Sequence, residues 1–450
     1  MRKQATQIQV AAVVNSLLGL EVESHRVTPT GHLSALPYPN QLADQRQHHF
    51  IKNDFLQTQS ELITPPTVSS RLALQYLGDY HQALRHALQA QEALWPYSMP
   101  PALNADHRDI VIAKTDPASY DYRLRVARYR KIERTAECGV HINLGLSERG
   151  LKALGLDDSP ALVETRNRLY LTAAVGFYQY RWLLTTLFGA TPVTFANYFS
   201  AATDAPSQPV RSLRNSPFGY GNGVAGSYES VAAYVARIET AVAEGDLLAD
   251  REFYGIVRLK GGAELADLLT DGVRYIELRT LDLDPFEPLG ISGQTLDFIR
   301  LLFGYFILQT ALPTQINAAV ANGEAANRVA ALESPFAPSH MLQQGLDLLA
   351  DLQAFYDGVA LPFNAQTLID QMRERLLNPA LTPAARLAKM AADHQLFETL
   401  KQTTQHYQQD LTNRPLIGFE SRTSVDQRQI LAELQAGRAV ALPEAQKLNE

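Results

Sequence analysis

Most of the chain carries apolar residues at helical spacing, and a few short runs alternate apolar with polar instead. Ser69 to Leu94 (SSRLALQYLGDYHQALRHALQAQEAL) predicts a helix after a serine cap, stopped by Trp95-Pro96. The segments 160–188, 228–245, 294–312, 340–357, 364–376 and 394–411 predict further helices. The alternating runs are GLEVESHRV (19–27), SELIT (60–64), GVHINLGL (139–146), FYGIVRLK (253–260) and VRYIELRTLDL (273–283), which predict strands joined by helices. Pro and Ser mark 201–210 and 333–340 as loops. No repeat and no long low-complexity tract is present. Strand patterns stop near 284, and everything beyond 335 reads as helix.

Strand side chains alternate faces, so residues two apart project together, about 7 Å apart. Glu21 and Glu23 therefore share one face of their strand, while Leu20 and Val22 pack on the core. In GVHINLGL, Val140, Ile142 and Leu144 take the core side and leave His141 and Asn143 opposite. In VRYIELRTL, Ile276 and Leu278 pack one way, and Tyr275, Glu277 and Arg279 point the other. SELIT adds Glu61, and the preceding FIKNDF adds Asp54. Two carboxylates about 7 Å apart repel by roughly 2.4 kcal/mol at an effective dielectric of 20. If these acids converge, they need cations, and oxygen ligands with one imidazole suit Mg²⁺ or Mn²⁺ better than zinc or copper. Each strand taken singly is more often just a half-exposed strand with solvated charges; only the joint occurrence lifts the metal reading.

Composition narrows the classes. The 450 residues include 40 Lys+Arg and 47 Asp+Glu, a net charge of −7, with 46% hydrophobic and 19% charged residues. That is enough apolar material for a large core and allows up to roughly three domains. An acidic balance argues against an electrostatic nucleic-acid binder. The single cysteine, Cys138, excludes an internal disulfide and a cysteine-rich metal site. The N-terminal apolar run is broken by glutamines and leads into glutamates, so no signal peptide is expected, and Leu169–Ala190 reads as a buried helix rather than a membrane span because it carries Arg181 and Gln179.

GLEVESHRV, NDFLQTQSELITPP, LWPYSMPP, YRLRVARYRKIERTAECGVHINL, SLRNSPFGYGN and YIELRTLDLDPFEPLGI occur in that order, and together they resemble the bacterial glutamate–cysteine ligase (γ-glutamylcysteine synthetase) family over about residues 15–310. The resemblance implies an α+β fold, a curved antiparallel sheet cup surrounded by helices and similar to glutamine synthetases. It implies that Glu21, Glu23, Asp54, Glu61, His141 and Glu277 hold Mg²⁺ or Mn²⁺, and that ATP is a co-substrate. It further implies that Arg279 holds phosphoryl oxygens, Arg214 fixes glutamate, and Phe55, Tyr122 and Tyr220 line a cysteine pocket. Tyr254, Arg258 and Lys260 would lie on the nucleotide side. The implied reaction joins glutamate to cysteine through a γ-glutamyl phosphate in the cytoplasm, with small molecules as the partners and no membrane or nucleic acid. Residues 1–334 would form the catalytic core, and 335–450 a helical portion packed on it. With 450 residues the chain resembles a one-step enzyme, a separate glutathione synthetase acting next.

Other motifs are weaker. Gly221–Gly226 matches G-x-G-x-x-G, yet the RSLRNSPF before it is no apolar strand, so a glycine-rich loop over the substrate fits better than a dinucleotide site. No P-loop is present. RLRVARYRKIER (123–134) reads as a solvated basic helix face, and Cys138 as a buried residue at a strand start. Two rival activities stay open: a ligase of the same fold joining glutamate to another amine, and a metal-dependent phosphohydrolase.

Overall fold

The computed structural model describes residues 5–89, 91–157, 159–201, 204–221, 223–308 and 311–445. Its centre is a seven-stranded antiparallel sheet built from β1 (Leu17–Val27), β2 (Ile51–Asn53), β3 (Gln59–Ile63), β4 (Ala93–Leu94), β5 (Val140–Gly145), β6 (Val257–Lys260) and β7 (Tyr275–Leu281). The spatial order is β2-β3-β1-β5-β7-β6, and β4 pairs with the far end of β1. One face is apolar throughout: Leu18, Leu20, Val22, Ile51, Leu62, Val140, Ile142, Leu144, Ile276 and Leu278 are at most 1% exposed. Burying that face fixes the register, because a slip by one residue would turn every one of these side chains outward. The opposite face is then committed to the polar residues between them.

Helices cover the apolar face. Residues of α2 (Ser70–Ala87), α5 (Val163–Gln179) and α9 (Gly293–Leu308) share one continuous apolar cluster with the sheet. The stretch 169–190 is largely buried, as its composition suggests, with Gln179 exposed, but it forms two helices, α5 and α6 (Arg181–Phe188), which meet at Tyr180. No helix among the described residues is long and apolar enough to cross a membrane. Beyond 335 the regular elements are helical: α11 (Leu342–Phe355), α12 (Ala365–Leu377), α13 (Pro383–Ala392), α14 (Leu396–Asn413) and α15 (Ser424–Gln435). Of these, α11 and α12 pack on α9, while α14 and α15 pack on α2.

Two further departures from the sequence pattern bear on the sheet. The helix expected over 69–94 ends at Ala87, and Ala93–Leu94 turn back as β4. Buried Arg26 on β1 explains the departure. It ion-pairs with Glu92 at 2.7 Å, which draws 92–94 out of the helix and alongside β1. The strand expected over 253–260 begins only at Val257, because Phe253 packs on Tyr234 and Tyr254 turns toward Tyr220, with ring centroids 4.6 Å apart. Of the glycine-rich run 221–226, Asn222 lies outside the described residues.

Helix α2 also buries an acid. Asp79 is 1% exposed, and its Oδ1 has no hydrogen-bond partner among the described residues. Burial, with Glu420 adding repulsion, pushes its carboxyl up to about 9. A carboxyl raised in the folded state favours folding while protonated, and that advantage is lost as pH climbs from about 4 toward 9. Asp79→Asn is therefore expected to raise Tm more at pH 8 than at pH 5. A Tm difference independent of pH in thermal unfolding would contradict this.

Candidate functional site

The polar face of the sheet carries the acids. Cross-strand register sets Glu23 opposite Glu61, Glu21 opposite His141, and Glu277 opposite both Asn143 and Arg258. Asp54 follows β2 directly. Like charges facing each other across strands are destabilising unless something offsets them. The β5–β7 pairing shifts register between Val140 and Ile142: His141 faces two β7 residues, Arg279 and Thr280, so β7 bulges opposite it, an irregularity of the kind that re-aims side chains. The His141 ring reaches Glu21 (Nδ1 3.3 Å), Glu23 (Nε2 3.6 Å) and Glu277 (Nδ1 3.8 Å). Glu21, His141 and Glu277 each place one ligand atom within 4.8 Å of the others. Glu21, Glu23, Asp54, Glu61, His141 and Glu277 all line one open hollow of about 760 Å³.

The electrostatics vary across this group. Burial, then the charges of Asp54, Glu21 and Glu23, push Glu61 well above the usual carboxylate range. Burial also raises Glu23, whose Oε2 accepts the Gly139 N–H at 2.8 Å. Glu277 goes the other way. Burial would raise it, but Arg279, Arg258 and Lys260 outweigh burial and hold it well below. Lys260 Nζ is 3.1 Å from Glu277, Arg258 lies 3.8 Å away, and Arg279 pairs with it directly. One side of the hollow is thus acidic and short of cations, and the other is an arginine–lysine wall around a single acid.

The remaining candidates take these places. Phe55 and Tyr254 line both the acidic hollow and a neighbouring cavity of about 700 Å³, Tyr122 lines the former, and Tyr220 and Arg214 line the latter. The Tyr122 ring lies 3.8 Å under the Arg251 guanidinium. Arg214 is locked from below: it donates to the carbonyl oxygens of Arg279 (3.3 Å) and Leu281 (3.1 Å), and Asp282 is 3.8 Å away. Cys138 is buried, its thiol pushed well up by burial.

Several lining residues carry no signal that alternation detects. Arg123 belongs to the basic run but does not join a solvated face. It turns inward from α3 (Pro117–Tyr129), donates to Ala113 O and Thr115 Oγ1, and lines the acidic hollow. Arg134 and Glu137, between α3 and β5, line the second cavity with Arg181 and Asn215. Helical spacing, with one cation in three or four facing inward, was the available cue for Arg123; for Glu137 the sequence offers none.

The chain as a whole resembles known proteins. The glutamate-cysteine ligase family model matches residues 3–247 and 244–329. The glutathione biosynthesis bifunctional protein of Enterococcus faecalis is 32% identical over 444 residues, covering 97% of this chain and 58% of that protein. Its counterpart in Lactiplantibacillus plantarum is 33% identical over 417 residues, covering 91% and 54%. The chain thus spans a little over half the length of the curated relatives it matches. Among solved structures, a bifunctional glutathione synthetase from Pasteurella multocida superposes with a TM-score of 0.87 at 30% identity, covering 96% of this chain and 58% of that one. A glutamate–cysteine ligase from Francisella tularensis shares the fold, with a TM-score of 0.81 at 22% identity and 96% of both chains covered. The sheet that gathers the acids lies wholly within the matched residues, and the chain belongs to the glutamate–cysteine ligase family.

Proposed function

We propose that this chain uses ATP to join the γ-carboxylate of L-glutamate to the amine of L-cysteine, yielding γ-glutamylcysteine, ADP and phosphate. Beyond family membership, one observation carries the reading: acids from β1, β3, β7 and the end of β2 meet with His141 in one hollow, facing a wall of Arg258, Lys260 and Arg279. Such a hollow suits a polyphosphate accompanied by divalent cations. The donor set, carboxylates and one imidazole, fits Mg²⁺ or Mn²⁺, which Glu21, Glu23, Asp54, Glu61, His141 and Glu277 would hold. Bound there, the metal would neutralise charge on the phosphates.

The chain's own groups supply orientation and charge. A γ-carboxylate oxygen of glutamate attacks the terminal phosphorus of ATP, the bond to the bridging oxygen breaks, and ADP leaves with the electron pair. Arg279, with Arg258 and Lys260, would balance the phosphoryl oxygens, a role suited to preorganised cations. The cysteine nitrogen then attacks the acyl carbon, the bond to phosphate oxygen breaks, and the nitrogen sheds its proton. Arg214 would hold glutamate, Phe55, Tyr122 and Tyr220 would enclose cysteine, and Tyr254 would border the nucleotide. The dipeptide would pass to a glutathione synthetase. The test is ADP release with Mg–ATP, glutamate and a panel of amines. No preference for cysteine would favour another acceptor, and ADP release without any amine would favour a phosphohydrolase.

Two further outcomes are expected. A Cβ at Gly139 would lie 2.0 Å from Arg214 Nη2 and 2.5 Å from its Cζ, so Gly139→Ala must expel the guanidinium from its seat. KM for glutamate should rise about tenfold or more, in line with the loss of a charge-assisted contact, and KM for ATP much less. Equal rises for all substrates would point to strand damage instead. Millimolar Mg²⁺ should raise Tm by a few degrees and a chelator reverse it, since a ligand at a hundred times its Kd adds about 2.7 kcal/mol. Glu61→Gln should shrink that gain in thermal unfolding. An unchanged Tm with Mg²⁺ in the wild type would argue against the metal assignment.

A further inference from the structure

We propose that Glu137 and Arg134 together clamp the α-amino-acid headgroup of glutamate, Glu137 taking the ammonium and Arg134 the α-carboxylate. The inference rests on the reading above and adds to it a recognition site on the segment that links α3 to β5. Both side chains line the cavity of about 700 Å³ that holds Arg214, and this cavity runs into the acidic hollow through Glu23, Asp54, His141 and Arg279, which line both.

Their charges are held in place without being neutralised. Glu137 Oε1 accepts from the Tyr198 hydroxyl and from the Tyr220 N–H at 3.1 Å, and Oε2 accepts from that N–H at 3.2 Å. These donors orient the carboxylate but bring no full positive charge, and a carboxylate can accept about four hydrogen bonds. Burial pushes its carboxyl up to about 7, against the opposing pull of the Tyr198 hydroxyl, the Arg214 charge, the Tyr220 N–H and the Arg134 charge, so no cation in the cavity comes close enough to offset its burial. Arg134 lies 5.3 Å from the Tyr198 ring and 5.2 Å from that of Phe199. Among the described residues no carboxylate lies within ion-pair distance of it. The other cavity arginines are engaged: Arg181 pairs with Glu324 at 2.7 Å, Arg214 donates to β7 carbonyls, and Arg279 pairs with Glu277. Tyr198 thus lies between a carboxylate and a guanidinium that feel each other's charge but, among the described residues, form no direct ion pair, a charge pattern that complements a zwitterion.

Reaction chemistry chooses between the two amino acids. The cysteine nitrogen must be an unprotonated nucleophile, so a carboxylate that stabilises its ammonium form would oppose the reaction. Glutamate reacts at its far carboxylate, which leaves its ammonium and α-carboxylate free to be gripped throughout.

The experiment measures equilibrium binding, by calorimetry with Mg²⁺ present, of glutamate, glutarate (no α-amino group) and 4-aminobutyrate (no α-carboxylate). The wild type should prefer glutamate to each analogue by about tenfold or more, the usual scale of a charge-assisted contact. Glu137→Gln should collapse the preference over glutarate and retain that over 4-aminobutyrate; Arg134→Gln should do the reverse. Ratios unchanged in both variants, or a wild type indifferent to both analogues, would overturn the clamp. Should Glu137→Gln fail to fold, the Arg134→Gln arm decides by itself. A wild type that shows these preferences but forms no dipeptide would overturn the proposed activity while supporting the clamp. Dipeptide formation with unchanged ratios would do the opposite.

Discussion

Glu277→Gln is expected to lower ADP release by about a hundredfold or more while leaving the fold largely intact. The substitution keeps shape and removes one charge. Glu277 is 1% exposed and sits at the focus of Arg279, Arg258, Lys260 and His141, so its charge sets the position of every cation on that wall. A neutral amide leaves those groups without their common counter-ion and removes a hard oxygen from the set proposed to hold the metal. Removing one preorganised electrostatic group from a reacting centre typically costs 10²–10³ in rate. The fold should survive because Arg258 and Lys260 reach the open hollow, where water and salt screen them. Steady-state ADP release with circular dichroism as the folding check reads both outcomes. Near-wild-type turnover would remove Glu277 from the reacting centre.

Asp282→Ala is expected to destabilise the protein by about 3 kcal/mol or more and to displace Arg214. Asp282 Oδ2 accepts from Ala190 N (2.8 Å), Thr191 Oγ1 (3.0 Å) and Ser212 Oγ (2.8 Å), and Oδ1 accepts from Asn215 Nδ2 (3.1 Å), all in the interior. The acid therefore organises the segment after α6 and the approach to Arg214 and Asn215. Alanine strands those donors together, and each buried donor left unpaired costs about 1–3 kcal/mol. Asp282→Asn keeps one oxygen but turns an N–H₂ toward donors, so its stability should fall between wild type and alanine. Denaturant unfolding of the three proteins gives the order, and the KM for glutamate tests the role proposed for Arg214. A loss below about 0.5 kcal/mol for alanine would show that solvent or rearrangement replaces the carboxylate.

The contrast between these two acids shows what a strand pattern reveals. Glu277 is legible because Ile276 and Leu278 flank it on the core side, so alternation assigns its face without knowledge of any partner. Asp282 falls inside the alternating run 273–283 but one residue beyond β7, and what makes it matter is its donors at 190, 191, 212 and 215, far away along the chain, which alternation cannot name. Glu137 and Arg134 are hidden for the same reason. They sit in and just after a single short 3-10 turn (Ile132–Ala136), too brief to show a period in the sequence, and only the approach of Tyr198 and Tyr220 marks them out. The helix expected to run to Leu94 stops early because of Arg26, a residue 66 positions from Glu92 in sequence.

What the sequence by itself determined is local: which stretches have a period of two, which have a helical period, and which acids share a face with no apolar neighbour. Those properties follow from backbone geometry and the cost of exposing apolar side chains. The tertiary structure alone decided which strands are neighbours, where β7 bulges opposite His141, and which buried charges meet a partner. Those depend on distances between segments far apart in the chain, and electrostatic and hydrogen-bond energies are set by such distances, not by order along the sequence.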